Sequence, residues 1–309
     1  MVANDWVGFD EVDFIGVRFD GSARREGQSY APVALREAGL VAAFGDGARL
    51  LPDVTTSTPV PERGNVAGFY NERALLEMLD LLYERVRSSL VSDRFPFVYG
   101  ADCSVLLAAV PAAASVQGTS GLLFVDAHED ATPMEVSTTG EAANMEIALL
   151  LGLGENRTPE PLHGRLPALR YTTIAMLGQR DQAYRNEIPV ASIADRVWFR
   201  SPEEVSREPG GAGREAVKCV SSEAPRWWLH IDVDVLNKEE FDACGAARDP
   251  AMKGGLTWKE LEILTLSALK TGGCRGWSLG VYNPDLDPDR RMAGRIVDFL
   301  GKVAAGCQG

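Results

Sequence analysis

Phe124-Val125-Asp126-Ala127-His128-Glu129-Asp130 is the stretch on which the reading of this chain turns. It begins as an apolar strand and then sets three potential metal ligands, Asp126, His128 and Asp130, at alternate positions, which share one face of extended backbone. A second run, Trp228-Leu229-His230-Ile231-Asp232-Val233-Asp234, repeats the device, so Asp232 and Asp234 converge as well. Carboxylates buried in strands are costly unless they are paired, hydrogen-bonded or bound to a cation. For a lone Asp-x-Asp, capping of the next helix and a solvated sheet edge suffice. Two alternating clusters in one chain favour one or two divalent metal ions. In parallel α/β sheets the carboxyl ends of strands open onto the ligand crevice, so two neighbouring strands that end this way jointly build a site. Oxygen-rich ligands with one imidazole suit manganese or another hard-to-borderline divalent ion.

Outward from these strands, short apolar runs alternate with longer segments of helical period, the mark of a mainly parallel sheet covered by helices. Strands are predicted at Val12–Val17, Pro96–Tyr99, Leu122–Asp126, Thr172–Leu177, Arg196–Phe199, Trp227–Val233 and Gly276–Tyr282. Helices are predicted at Pro32–Ala43, Asn71–Leu90, Gly140–Leu151, Thr257–Leu269 and Pro288–Val303. Leu75, Leu76, Leu79, Leu82, Val86 and Leu90 form one apolar stripe, which reads as core packing. Thr257 with Glu260 makes a capping box. Gly45–Asn65, Gly152–Leu166 and Pro202–Pro225 are rich in Gly, Pro, Ser or charge and read as long surface loops, either walls of a cleft, subunit contacts or decoration.

A chain of 309 residues can bury a substantial core, and residues 1–309 read as one domain. The net charge of -13, without a Lys/Arg-rich stripe, argues against nucleic acid. Met1-Val2-Ala3-Asn4-Asp5-Trp6 lacks a basic region followed by an apolar run, and no segment has the length of a membrane span, so no membrane partner and a cytoplasmic location are expected. The five cysteines stand singly and read as reduced thiols. His163 lies in a Pro-rich loop and reads as surface, and Trp227 and Trp228 read as packing. His230, alternating with Asp232, is either a partner behind the metal ligands or a satisfied interior histidine. Asp285-Leu286-Asp287-Pro288-Asp289 reads as the turn and cap before the last helix rather than as a calcium loop.

With these residues in place, the sequence resembles the arginase, or ureohydrolase, family, which includes agmatinases and formiminoglutamases. Gly100-Ala101-Asp102-Cys103-Ser104 is similar to the family's Gly-Gly-Asp-His-Ser, Asp126-Ala127-His128-Glu129-Asp130 to Asp-Ala-His-x-Asp, and Asp232-Val233-Asp234 to the later Asp-x-Asp. Val281-Tyr282-Asn283-Pro284 falls where arginases have Glu-Val-Asn-Pro, and weaker agreement covers Gly27 to Leu40 and Gly178-Gln179-Arg180-Asp181. The resemblance implies a three-layer α/β/α sandwich with a mainly parallel sheet, two manganese ions, a small-molecule substrate and a trimeric or hexameric homo-oligomer. It implies that Asp126 and Asp232 bridge both ions, that His128 and Asp234 complete one, and that Asp130 and Cys103 complete the other. A hydroxide bridging the metals would be the nucleophile, oriented by Asp130.

The departures from the family pattern shape the expected chemistry. Cys103 replaces a histidine ligand, so it is either a thiolate ligand, which favours zinc, iron or cobalt, or a small buried thiol. Val281 stands in place of the glutamate that arginases aim at the guanidinium. Gln182 and Ala183 follow Asp181 where the family continues Val-Asp, and Ala143 replaces the proton-shuttle histidine. Glu141 or Glu146 would substitute as a proton carrier or recognise a cationic substrate; the alternative for helix-start acids is complementing the helix dipole. The expectation is a metal-dependent hydrolase of linear carbon-nitrogen bonds in an amidine, guanidine or ureido group, with L-arginine disfavoured. The competing reading is a non-catalytic family member with one metal or none, acting as a binding or regulatory subunit.

Overall fold

The computed structural model describes residues 9–22, 27–154, 162–245 and 252–308. The first part of the chain runs β1 (Val12–Arg18), α1 (Ala31–Glu37), β2 (Ala48–Leu50), β3 (Val54–Thr55), α2 (Glu72–Val91) and β4 (Phe95–Tyr99). Next come α3 (Leu106–Gln117), β5 (Gly121–Val125), α4 (Glu146–Leu151), β6 (Ile174–Leu177), α5 (Gln182–Glu187) and β7 (Trp198–Arg200). The last part adds α6 (Pro202–Arg207), α7 (Pro209–Ser221), β8 (Trp227–Asp232), α8 (Trp258–Thr271), β9 (Cys274–Gly280) and α9 (Arg291–Gln308).

Among the described residues the strands form one sheet in the order β2-β1-β4-β9-β8-β5-β6-β7, with β3 beside β1. The pairings along this order are parallel. Side chains alternate across it, as a pleated strand requires: Leu123 and Val125 join one core with α1, α7, α8 and α9, while Leu122 and Phe124 join a second core with α2, α3 and α4. The result is the three-layer α/β/α sandwich with a mainly parallel sheet. All seven predicted strands are present with ends shifted by a few residues.

Several expectations are corrected. Pro202–Pro225 is not a loop but carries α6 and α7. Ser201 caps α6 by accepting from Glu204 N, and Pro209 opens α7. The glycines that made this stretch look irregular serve packing: a Cβ on Gly213 would meet Leu264 O at 2.5 Å, so its absence lets α7 lie against α8. Gly45–Asn65 contains β2 and β3, and of Gly152–Leu166, residues 155–161 lie outside the described residues. The first predicted helix stops at Glu37, and Gly140–Leu151 is helical only as a 3-10 turn at Ala142–Asn144 followed by α4. The last helix starts at Arg291, where Asp287 accepts from Met292 N and Ala293 N at 3.1 and 2.9 Å, so the acidic run is a cap. The five cysteines are free, and no described helix is long and apolar enough to cross a membrane.

Candidate metal centre

β5 and β8 lie side by side with Val125 opposite Ile231, so Asp126 and Asp232 leave the sheet as neighbours. Each then folds back on its own chain: Asp126 Oδ1 accepts from His128 N at 2.7 Å, and Asp232 Oδ1 accepts from Asp234 N at 2.7 Å. Asp234 Oδ1 accepts from Ala127 N at 3.1 Å and so ties the two strand ends together. His128 Nδ1 lies 3.0 Å from Asp234 Oδ2 and 3.6 Å from Asp126 Oδ1. These three side chains offer ligand atoms within 4.8 Å of one another. The Arg180 guanidinium holds the turn after β8, donating to the carbonyls of Asp234 at 2.7 Å, Leu236 at 3.2 Å and Val235 at 3.3 Å. Glu129 takes no part, because its carboxylate pairs with Arg185 at 3.1 Å and accepts from Ile193 N at 2.9 Å.

The other side of the cluster comes from β4 and α4. After β4, Gly100 turns with φ 88°, where a Cβ would meet Pro32 Cγ at 2.6 Å, and the chain then presents Asp102 and Cys103. Asp102 is fixed by Gly21 N at 2.8 Å and Ser104 N at 3.1 Å. Cys103 Sγ lies 3.1 Å from Asp232 Oδ2, 3.6 Å from Asp126 Oδ2 and 3.3 Å from His230 Nε2. Cys103, Asp130 and Glu146 form a second group of close ligand atoms, and Cys103, Asp126 and His230 a third. His230 stacks on Phe124, with ring centroids 5.5 Å apart, and its Nδ1 meets Ser278 Oγ at 2.7 Å.

The charges are crowded beyond what the protein itself neutralises. Burial and the Asp234 carboxylate push Asp126 up to about 6. Asp130, Glu146 and Asp232 are raised well above the carboxylate range by burial and then by the charge of another acid, which is Asp126, Asp130 and Asp234 respectively. Asp234 alone of these acids is lowered: burial works against it, and the His128 imidazole overcomes that penalty. His128 rises correspondingly, burial opposing and Asp234 prevailing. Burial drives His230 down to about 3, so it is neutral, and burial with the Asp232 and Asp126 charges raises the Cys103 thiol. Glu146 is wholly buried, and neither oxygen has a well-formed hydrogen bond among the described residues; the Asp130 carboxyl is near enough to share a proton with it. Such a set of mutually repelling carboxylates, one of them without a well-formed hydrogen bond, with two imidazoles and a thiol fits a divalent cation.

A cavity of about 260 Å³ opens over this cluster. Cys103, His128, Asp130, Asp232 and Asp234 face it, with Glu141 and Ala143 on its wall. Asn144 Nδ2 donates to Glu141 Oε2 at 3.2 Å. Of the two candidate proton carriers, Glu141 stands on the cavity wall, whereas Glu146 stands among the ligand atoms beneath it. Val281 also lines the cavity, at φ 71°, an outlying conformation for a β-branched residue, with its N–H donating to Ala101 O at 2.9 Å. His163 is exposed, as its loop position implied. Sequence reasoning left the place of His230 open and did not set Glu146 beside Cys103. The alternation of His230 with Asp232 was the available signal for the first; nothing local signalled the second.

Comparison with known proteins accords with this geometry. The model of a family described as the Arginase family matches residues 10–304. An arginase of Staphylococcus aureus (strain MRSA252) is 26% identical over 301 residues, covering 94% of this chain and 95% of the relative. Among solved structures, the arginase of Bacillus caldovelox superimposes with a TM-score of 0.82 at 22% identity, covering 95% of this chain and 98% of the other. The formimidoylglutamase of Bacillus subtilis superimposes with a TM-score of 0.69 at 17% identity, covering 96% and 87%.

Proposed function

The chain belongs to the arginase family, and from that premise we propose that it hydrolyses a linear carbon-nitrogen bond in the amidine, guanidine or ureido group of a small molecule other than L-arginine. Membership supports a metal-dependent amidino hydrolase kind of function. The observation that carries the proposal is the meeting of Asp126-x-His128-x-Asp130 with Asp232-x-Asp234, with His128, Asp130, Asp232 and Asp234 lining one cavity.

Asp126, Asp232, His128 and Asp234 would hold one divalent ion, and Asp130 and Cys103 would join the two shared acids at another; the proposed ions are manganese, with zinc, iron or cobalt admitted by Cys103. Such ions, when bound, supply Lewis acidity and bring the pKa of water toward neutrality. The protein's own groups do the rest. Asp130, facing the cavity, orients an attacking water and takes its proton. Glu141 carries a proton to the departing nitrogen, and Asn144 holds its carboxylate in place for that transfer.

Selectivity against L-arginine rests on two positions. Val281 offers the cavity no charge for a guanidinium. Asp181 is committed to Arg185 at 3.0 Å and to Glu129 N at 3.1 Å, with Ala183 two residues on.

The test is to strip the purified protein, reload it with manganese or zinc, and assay ammonia and urea release from a panel of amidines, guanidines and ureido compounds that includes L-arginine. Turnover of a panel member with L-arginine slower supports the proposal. No turnover of any compound would sink it, and one bound ion or none would then leave the non-catalytic reading.

A further inference from the structure

His230 is wholly buried, and its Nε2 lies 3.3 Å from Cys103 Sγ, with an Asp126 oxygen within 4.8 Å of both. A thiol is a weak hydrogen-bond acceptor, and so poor company for a buried imidazole nitrogen. It is good company on a metal. Zinc bonds of about 2.3 Å to sulfur and about 2.0–2.1 Å to nitrogen, opened to a tetrahedral angle, set the two donor atoms roughly 3.5 Å apart, close to the spacing seen.

The surroundings of the ring suit ligation. The Trp228 indole N–H can only donate, and it donates to Ser278 Oγ at 2.9 Å. His230 Nδ1 lies 2.7 Å from that hydroxyl, and in the tautomer protonated at Nδ1 the ring donates to the oxygen's second lone pair. A metal-bound histidine commonly donates its other ring N–H in this way, which leaves the Nε2 lone pair for the ion. A second observation points to the same place: Glu146, wholly buried and without a well-formed hydrogen bond among the described residues, closes on Cys103 Sγ together with Asp130.

We propose that Cys103, Asp126 and His230, flanked by Asp130 and Glu146, form a position for an ion of the zinc, cobalt(II) or iron(II) class, the imidazole absent at position 103 being supplied across the sheet from β8. This deepens the hydrolase reading, on which it rests for the presence of metal in the cavity floor. The two positions then differ in kind. The His128 position is oxygen-rich, and the Cys103 position is bound by sulfur and nitrogen as well.

The chain has three histidines, His128, His163 and His230, which makes the decisive sample simple. The full-length His128→Ala/His163→Ala protein is stripped, loaded with zinc and examined by X-ray absorption at the zinc edge. The expected result is about one bound zinc with a sulfur at about 2.3 Å and an imidazole on the same ion. Sulfur without imidazole overturns the proposal. In parallel, wild-type protein loaded with cobalt(II) shows a thiolate-to-cobalt charge-transfer band, which Cys103→Ser removes and His128→Ala keeps. His230→Gln, close in size to the native side chain, loses that band and one ion; retention of both overturns the proposal. Wild-type protein that binds two ions with sulfur and two imidazoles but turns over no amidino compound leaves this site standing and sinks the hydrolase reading. Wild-type protein that binds no ion sinks both.

Discussion

The two halves of the metal cluster each combine aspartates with an imidazole but are in different electrostatic condition. On the His128 side, Asp234 has an imidazole at 3.0 Å, a backbone N–H at 3.1 Å and the Arg180-braced turn behind it, and its acidity is strengthened. On the Cys103 side, Asp130 is raised by Asp126, Glu146 by Asp130 and Asp232 by Asp234, and the Glu146 oxygens have no hydrogen-bond partner among the described residues beyond a proton shared with Asp130. One half is a site that protein groups already balance, and the other awaits positive charge. Preorganisation and dependence on a cation are thus divided between two positions a few ångströms apart.

The largest effect should come from erasing what the halves share. Asp232→Ala removes an acid that both positions use, so both ions are lost and turnover falls by roughly a thousandfold or more, beyond the usual cost of one electrostatic group; metal analysis and steady-state kinetics check this. Next, the asymmetry itself can be measured. Glu146→Gln takes an orphaned acid from the crowded half and gives Asp130 an amide donor, so the metal-free protein becomes more stable by about 1–3 kcal/mol, while ion affinity at that half drops. Denaturant melts with and without metal report both changes, and a destabilised metal-free variant would remove the comparison.

The pH dependence follows from the same acids. Their folded pKa values are raised, so the folded state binds protons more tightly than the unfolded chain, and the metal-free protein loses stability as pH rises from the ordinary carboxylate range, about 4, through about 6 at Asp126 and beyond. The gain in Tm on adding divalent metal is therefore larger at about pH 8 than at about pH 5, by roughly 5 °C. A gain that shrinks with rising pH would contradict the charge assignment. The smallest effect is expected at the brace: Arg180→Met frees the carbonyls of residues 234–236 and weakens ion binding about tenfold, the lower end for groups that hold a ligand in place. That loss should fall on the His128 position, leaving the thiolate-to-cobalt band at Cys103 intact.

Much of this was legible in the sequence because it is local. Asp126, His128, Asp130, Asp232 and Asp234 declare themselves by a period of two inside apolar strands, and the strands by the contrast of short apolar runs with helical spacing. What was not legible depends on features without a local period or on contacts distant in sequence. α3, buried on nearly every side, shows no apolar stripe to find, and α7 hides behind glycines that its packing on α8 requires. The meeting of His230 with Cys103 spans strands separated by β9 in the sheet, and that of Glu146 with Cys103 depends on the path of the chain between β5 and α4. Neither can be inferred from the spacing of residues along a single element.

The position of β9 carries a consequence for how the protein comes into being. β4 delivers Cys103 and β8 delivers Asp232, yet the two strands do not touch; β9, Cys274–Gly280, pairs with both. As the chain leaves the ribosome, every ligand has been synthesised before the strand that brings Cys103 to the acids of β5 and β8, which pair with each other directly. Capture of metal at the Cys103 position therefore cannot seed the early steps of folding and must wait for a late, long-range closure, which topologies of this kind reach slowly. An ion bound at Cys103 would be a certificate that the sheet has been completed.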